Sequence, residues 1–125
     1  MTVLLDTHVL LWWLANDARL SPSARRIISD PTNRVFVSAA SAWEISIKRA
    51  LGKLQAPPDL EAAAAQSHLE TLPISLKHAA AAGALPAHHA DPFDRMLVAQ
   101  AQLEGMTLLT HDRRLAAYGP FIKPV

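Results

Sequence analysis

Residues 2–6 read Thr-Val-Leu-Leu-Asp, a short apolar run that ends at an acid. Runs of this kind, bounded by polar or turn-forming residues, are typical of buried β-strands. Three more follow along the chain, at Arg34–Ser38, Thr71–Ile74 and Met106–Thr110. Because helix-length segments separate them, the pattern predicts an α/β fold with a central parallel sheet of four to five short strands, flanked by helices on both faces.

The segments between these strands carry helix signals. Ser21 precedes Pro22, a favoured pairing of helix cap and first helical residue, and Gly105 ends the last long helical pattern. The predicted helices span Ser21–Asp30, Ala40–Leu51, Asp59–Leu69, Ser75–Ala84 and Pro92–Glu104. No repeat or long linker interrupts the series, so residues 1–125 are predicted to form a single domain.

Two helical segments have apolar patterns that bear on interfaces. Val9–Leu14 contains six consecutive large apolar residues, which at about 100° per residue encircle a helix instead of forming a stripe. Burial within the domain explains this pattern, and so does a subunit or partner interface. Ala40–Leu51 instead has an apolar face, formed by Trp43, Ile47, Ala50 and Leu51.

The apolar start of the chain does not indicate export or membrane insertion. No basic leader precedes it, and Asp6 and His8 interrupt it. The run Val9–Ala15 is also far shorter than the roughly 18 residues that a membrane span needs. We therefore expect a cytoplasmic protein with no membrane partner.

The composition excludes several classes of site. The chain of 125 residues contains no cysteine, so it has no disulfide scaffold, thiolate nucleophile or cysteine-bound zinc. Twelve basic residues face eleven acidic ones, a formal net charge of +1 that does not by itself indicate a nucleic-acid partner. The positions of the acids are therefore more informative than their number.

Four acids are predicted to meet at one edge of the sheet. Asp6 directly follows the first strand, Glu44 lies early in the helix after the second, and Asp112 follows the last strand. Asp94 lies near the start of the helix that precedes the last strand. Sites of open α/β sheets form outside the carboxyl ends of the strands, because loops and helix N-termini converge there.

Such clustering costs stability unless a cation is present. Like charges a few ångströms apart repel, and at least one carboxylate would be driven to take up a proton. A hard divalent cation reverses that sign, because Mg²⁺ and Mn²⁺ prefer oxygen ligands and orient water against a phosphodiester. The pattern thus predicts a metal site that uses Mg²⁺ or Mn²⁺.

Each acid also has an ordinary structural explanation. Glu44 has Lys48 four residues later and Ser41 three residues earlier, which permits an ion pair or a capping box. The favoured role of Asp91, before Pro92, is to cap the next helix. Asp112 is in position to cap a short helix at Arg113–Tyr118. Asp6 has no cap pattern of its own, so it is expected to need another partner.

The histidines are less informative than the acids. His88 and His89 are spaced with Asp91 in a way that permits metal binding, but no zinc motif such as HExxH is present. A solvated loop pair is the favoured interpretation of these two residues. His8 and His111 each adjoin an acid of the predicted site, and the sequence assigns neither a role.

Three blocks of this sequence, read together, resemble a known family. They are LLDTHVLLWWL at 4–14, VFVSAASAWEISIKRALGKL at 35–54 and HHADPFDRMLVAQAQLEGMTLLTHDRRLAAYG at 88–119. In order and spacing they are similar to those of PIN-domain proteins, more narrowly the VapC-type toxin ribonucleases of bacterial toxin–antitoxin pairs. Their combination over nearly the whole chain makes the resemblance specific.

The resemblance implies a set of site residues and partners. Asp6, Glu44, Asp94 and Asp112 match the family's metal-binding acids, with Asp112 the most variable of them. Thr7 and Thr110 match the hydroxyl residues that flank these acids, and Asp91 either meets the metal or only caps a helix. A Mg²⁺- or Mn²⁺-dependent endoribonuclease is implied, dimeric and inhibited by a cognate antitoxin.

An acidic pocket that cleaves RNA needs a basic rim. The candidates for phosphate contacts are Arg25, Arg26, Arg34, Lys48, Arg49, Lys53, Arg95, Arg113 and Arg114, of which Lys48, Arg49, Arg95 and Arg113 are favoured. Setting the four site acids aside leaves seven acidic residues against twelve basic ones, a segregated charge that fits RNA binding.

Two other functions are compatible with parts of the pattern. A Mg²⁺-dependent phosphatase with Asp6 as nucleophile explains an acid after a strand, but that chemistry typically places a second aspartate where His8 stands. A non-catalytic interaction module would use the apolar first helix as its binding surface and would have no metal affinity.

Overall fold

A computed structural model of the chain describes all residues, 1–125. The strands are β1 (Thr2–Leu5), β2 (Arg34–Ser38), β3 (Glu70–Leu72), β4 (Thr107–Thr110) and β5 (Ile122–Pro124). The α-helices are α1 (Thr7–Leu14), α2 (Pro22–Ser29), α3 (Ala39–Ala50), α4 (Leu60–Gln66), α5 (Leu76–Ala84) and α6 (Pro92–Glu104), and a 3-10 helix spans Arg113–Tyr118. No helix has both the length and the apolar character needed to span a membrane.

All five strands form one parallel sheet in the order β3-β2-β1-β4-β5, which confirms the predicted fold class. The last strand, β5, follows the 3-10 helix and adds an edge that the sequence patterns did not locate. The predicted strand Thr71–Ile74 is shifted, since β3 ends at Leu72. Pro73 explains that end, because proline has no N–H to donate to a neighbouring strand.

Consecutive residues of the strands pack into separate hydrophobic clusters. In β1, Val3 and Leu5 pack in one cluster with residues of α1 and α2, whereas Leu4 packs in the other with residues of α6. Val35 and Val37 of β2 join the first cluster. Because both faces of the sheet are buried, its strands appear in the sequence as continuous apolar runs.

Helix α1 directs most of its apolar surface into the protein. Val9, Leu10 and Trp12 are buried in the first cluster, and Leu11, Trp13 and Leu14 pack against it while partly exposed. Burial within the domain therefore accounts for the six consecutive apolar residues. This removes the main reason to regard α1 as the binding surface of an interaction module.

Helix α3 leaves the apolar face noted in the sequence exposed. Trp43 and Leu51 are 61% and 62% exposed, and Ile47 is 37% exposed. The helix instead buries the face that carries Ser41, Glu44 and Ile45. The apolar stripe therefore stays at the surface, while the buried face carries the site residue Glu44.

Candidate functional site

A polar cleft of about 690 Å³ lies where the acids were predicted to converge. Its lining residues are Asp6, His8, Glu44, Lys48, His89, Asp91, Asp94, His111, Asp112, Arg113 and Arg114. Strand β1 lies between β2 and β4, and α1 after β1 packs in the first hydrophobic cluster whereas Leu115 after β4 packs in the second, so the chain leaves β1 and β4 toward opposite faces of the sheet. Such a divergence opens a crevice at the carboxyl ends of parallel strands.

Asp6 is held at the centre of this edge by three donors. Its Oδ1 accepts from the backbone N–H of Val9 at 2.8 Å, so Asp6 is the N-cap of α1. Its Oδ2 accepts from Thr110 Oγ1 at 2.6 Å and from the N–H of His111 at 2.9 Å. Burial raises the pKa of Asp6 and outweighs these bonds, which lower it. The sequence interpretation that Asp6 lacks a cap role is wrong. The role was missed because Thr-His after an aspartate is not a recognised capping pattern.

Glu44 enters the cleft from the buried face of α3. Thr7 Oγ1 donates to its Oε1 at 2.6 Å, and Lys48 Nζ pairs with its Oε2 at 2.5 Å. The ion pair with Lys48 is therefore confirmed. The capping box with Ser41 is wrong, because Ser38 caps α3 and the Ser41 hydroxyl instead lies 3.1 Å from the Thr7 hydroxyl, within hydrogen-bond distance.

Asp94 is the least compensated acid in the cleft. Burial raises its pKa to about 7, and the nearby carboxylates of Asp91, Asp6 and Glu44 add to the rise. His89 lies 3.7 Å away and acts in the opposite direction, yet does not offset the other effects. The first turn of α6 thus presents a carboxyl that lacks a close cationic partner.

Asp91 has the structural role that its sequence context favoured. Its Oδ1 accepts from the N–H groups of Phe93 at 2.8 Å and Asp94 at 3.1 Å, which caps α6. The residue also lines the cleft. Capping therefore fixes the start of the helix that carries Asp94.

Asp112 lies opposite Asp94 and is well compensated. Arg114 holds it with two side-chain bonds, at 3.0 and 2.8 Å, and His89 contributes a third at 2.9 Å. The Arg114 guanidinium holds the pKa of Asp112 well below its ordinary range. Asp112 also caps the 3-10 helix through the N–H of Arg114, and its own N–H donates to Thr110 Oγ1.

His89 is the cleft residue that sequence reasoning missed. Its side chain is only 9% exposed, so the solvated-loop interpretation is wrong for His89, whereas His88 is exposed. Because Nδ1 accepts from the N–H of Asp91 at 3.1 Å, the other ring nitrogen carries the proton and donates it to Asp112. In the sequence, His89 stands two residues before the cap Asp91. This spacing is the signal for the hydrogen bond between the His89 ring and the N–H of Asp91.

The basic residues predicted for the rim divide into two groups. Lys48, Arg113 and Arg114 line the cleft, whereas Arg49 and Arg95 do not. Arg95 donates to the carbonyl oxygens of Ala82 at 2.9 Å, Leu85 at 3.0 Å and Pro86 at 3.0 Å. Its guanidinium thus ties the end of α5 to the start of α6 and lies outside the cleft, so the structure offers no support for an RNA contact at Arg95. Arg49 is bonded to the carbonyl of Pro57.

The donor set of the cleft suits a hard divalent cation. Ligand atoms of His89, Asp94 and Asp112 lie within 4.8 Å of one another, and carboxylates of Asp6, Glu44 and Asp91 line the same space. His89 offers no free lone pair in the tautomer described above, which leaves an all-oxygen set. Oxygen ligands with uncompensated negative charge favour Mg²⁺ or Mn²⁺ over zinc.

Comparison with known proteins agrees with this architecture. The sequence profile of the PIN domain matches residues 3–119. Ribonuclease VapC22 of Mycobacterium tuberculosis is 36% identical over 120 residues, which cover 94% of this chain and 92% of that protein. Ribonuclease VapC16 of the same organism is 43% identical over 58 residues, which cover 44% of this chain and 40% of that protein.

Two solved structures share the fold over nearly their whole length. VapBC2 from Rickettsia felis, bound to a promoter DNA fragment, matches with a TM-score of 0.70 and 16% identity, over 99% of this chain and 98% of that one. A toxin–antitoxin complex from Klebsiella pneumoniae matches with a TM-score of 0.69 and 19% identity, over 97% and 95%. The chain therefore belongs to the PIN-domain family and, within it, to the VapC-type proteins.

Proposed function

We propose that this protein is a metal-dependent endoribonuclease, the toxin of a type II toxin–antitoxin pair. The observation that carries the proposal is the convergence of Asp6, Glu44, Asp94 and Asp112 from four elements on one polar cleft. The ribonuclease that is 36% identical over most of the chain supports RNA as the substrate. The proposed cofactor is Mg²⁺ or Mn²⁺, held by these four carboxylates.

The chain's own groups have separate tasks in this proposal. A bound divalent cation supplies an activated water and offsets the charge that develops on the phosphate. Asp94 and Asp6 present carboxylates whose pKa values are raised by burial, so a cation stabilises them most. Thr7 and Thr110 fix the carboxylates of Glu44 and Asp6 through their hydroxyls. Asp91 binds the start of α6 and thereby positions Asp94.

Glu44 and Asp112 are the two candidates for accepting the proton of the attacking water. Arg114 holds the pKa of Asp112 low, which makes that carboxylate a weak base. Glu44 is paired in the same way, with the Lys48 ammonium at 2.5 Å, so the proposal keeps both carboxylates as candidates and chooses neither. Lys48, Arg113 and Arg114 form the basic rim that receives RNA phosphates.

A phosphatase with Asp6 as nucleophile receives less support from the same geometry. Asp6 is only 4% exposed, and its Oδ2 already accepts two hydrogen bonds and its Oδ1 one. A nucleophilic carboxylate needs an open oxygen to attack a phosphorus atom. The nuclease proposal requires no protein nucleophile.

Partner binding is proposed from the exposed apolar face of α3. Trp43, Ile47 and Leu51 form an apolar face that the chain itself leaves exposed, on the helix that carries Glu44. We propose that a cognate antitoxin or a second copy of the chain covers it, and the solved toxin–antitoxin complexes of the same fold support an antitoxin partner. Sedimentation of the purified chain, alone and with the antitoxin, distinguishes the two occupants.

The nuclease activity is tested by cleavage of a structured RNA. We expect cleavage in Mg²⁺, none in EDTA, and a loss of at least about 100-fold in Asp94→Asn, since removing one ligand carboxylate weakens metal binding and charge stabilisation together. Asp30→Asn, a substitution of an exposed acid outside the cleft, is the matched control. Cleavage that persists both in EDTA and in Asp94→Asn overturns the proposal.

A further inference from the structure

Three rings at the mouth of the acidic cleft have no role in the proposed chemistry. His8, Trp12 and His111 form a triangle in which the ring centroids are 6.0 Å apart for His8 and Trp12, 6.3 Å for His8 and His111, and 4.7 Å for Trp12 and His111. His8 and His111 are exposed, whereas Trp12 is 9% exposed and packs beneath them in the first hydrophobic cluster. We call these three residues the ring cluster.

The ring cluster is rigidly placed beside the carboxylates. His8 lies in the first turn of α1, two residues after the cap Asp6, and His111 donates its N–H to Asp6. Trp12 contacts His111 edge to face, which braces the His111 ring from below. The backbone of both exposed residues is therefore anchored beside the proposed metal ligands, and Trp12 supports the His111 ring.

A second cleft continues from the ring cluster away from the carboxylates. His8 lines both clefts, and the second is also lined by Trp12, Arg19 and Lys53. Arg19 lies over the Trp12 ring at 5.3 Å and is paired with Asp17. Lys53 makes no side-chain ion pair in the structure, so its ammonium is free to meet an anion.

The groups follow the order in which phosphates and bases alternate along a single nucleic-acid strand. A phosphate at the acidic cleft, a base beside it and a further phosphate beyond the base would meet the carboxylates, the ring cluster and Lys53 in turn. Bases of single strands stack on exposed aromatic and histidine rings, and basic side chains follow the backbone. Resting on the proposed nuclease function, we propose that His8, supported by His111 and Trp12, is the stacking subsite for the nucleobase next to the scissile phosphate.

The proposal is tested by a double-mutant cycle that needs no cleavage. Binding in Mg²⁺ is measured by fluorescence anisotropy for a thymidine octamer and for an octamer of the same backbone without bases. We expect removal of the bases to weaken binding to the unaltered protein about 5- to 150-fold, as stacking on one ring does. In His8→Ala, removing the bases should weaken binding by at most about a third of the factor measured for the unaltered protein.

Two variants separate stacking from a general disturbance of the site. His8→Tyr keeps an aromatic face and should retain the dependence on bases, and His88→Ala removes an exposed histidine outside the cleft and should change nothing. Lys53→Met should lower the slope of log affinity against log salt by about 0.7 for a single strand. An equal loss on base removal in His8→Ala and in the unaltered protein overturns the proposal.

The cleavage readout distinguishes this proposal from the nuclease function itself. If the chain cleaves RNA, His8→Ala should raise KM about 5- to 150-fold with little change in kcat, because stacking acts on substrate binding. If the chain does not cleave RNA, the nuclease proposal fails while the binding cycle still reports on the subsite. A fall in kcat with KM and base dependence unchanged overturns the stacking role.

Discussion

The hydroxyl of Thr110 donates a 2.6 Å hydrogen bond to Oδ2 of Asp6, joining two residues that are 104 positions apart in the chain. The same hydroxyl accepts from the N–H of Asp112. One threonine at the end of β4 thus connects a central acid of the cleft to another acid at its edge. Strands β1 and β4 pair directly, and this pairing brings the end of β4 next to Asp6.

Removing that hydroxyl should destabilise the fold. Thr110→Val keeps the shape but leaves Asp6 Oδ2 with one donor and the N–H of Asp112 without its acceptor. We expect a loss of about 1–3 kcal/mol in the free energy of unfolding, measured with urea in EDTA. Thr107→Val, on the same strand and with no side-chain hydrogen bond, is the control and should change stability little. Equal stability of the two variants contradicts this role for Thr110.

Asp6→Asn should also lower the melting temperature of the metal-free protein. Relief of charge repulsion alone predicts the opposite sign. However, the asparagine NH2 group would meet a backbone donor in either orientation, the N–H of Val9 or the N–H of His111, which now bind Oδ1 at 2.8 Å and Oδ2 at 2.9 Å. Differential scanning fluorimetry in EDTA measures the shift, and a clear rise would show that repulsion dominates the hydrogen bonds.

Asp94 gives the metal-free protein a defined pH dependence. Its pKa is about 7 in the folded chain, against an ordinary value of 3.8. Between these values the folded chain retains a proton that the unfolded chain has lost, so stability falls as pH rises from about 4 to about 7. Asp94→Asn removes this loss, and its melting temperature in EDTA should exceed that of the unaltered protein increasingly from pH 4 to pH 8.

Asp112 provides a comparison of opposite sign for this pH series. Arg114 lowers its pKa in the folded chain, so its carboxylate stabilises the fold above pH 3.8 and loses that contribution as pH falls further. Asp112→Asn should therefore reduce the melting temperature at pH 7, with the reduction shrinking below about pH 4. If Asp94→Asn and Asp112→Asn shift the melting temperature in the same direction at pH 7, the proposed contrast between the two acids is refuted.

Substitutions of Arg95 and Arg113 should affect different properties, the first the stability of the protein and the second its affinity for RNA. Arg95→Gln removes donors to the carbonyls of Ala82 and Leu85, and we expect a loss of about 1–3 kcal/mol in urea unfolding. Arg113→Gln, at the exposed rim of the cleft, should leave stability nearly unchanged. It should instead weaken RNA binding and reduce its salt dependence by about one phosphate contact. If Arg95→Gln weakened RNA binding and Arg113→Gln lowered stability instead, Arg95 would belong to the rim of the cleft.

The first strands and the last long helix were predictable because their signals are local. Apolar runs bounded by polar residues predicted β1 and β2, and the Asp91–Pro92 and Gly105 signals predicted both ends of α6. Gly105 has φ +67°, the left-handed conformation that glycine adopts readily at a helix end. Strand β5 lacked such a signal, since three residues after a 3-10 helix carry little periodicity of their own.

The sequence by itself determined the α/β class, the parallel sheet and the edge at which the acids meet, because the alternation of strands with helices and the residues that follow each strand are local patterns. Only the tertiary structure decided how each acid is compensated. His89 reaches Asp112, Arg95 turns to carbonyl oxygens, and α3 buries Glu44 instead of Trp43. These outcomes depend on contacts between segments that are distant in the sequence. The cost of burying polar groups and the hydrogen bonds that compensate it outweigh the preference set by the local hydrophobic pattern.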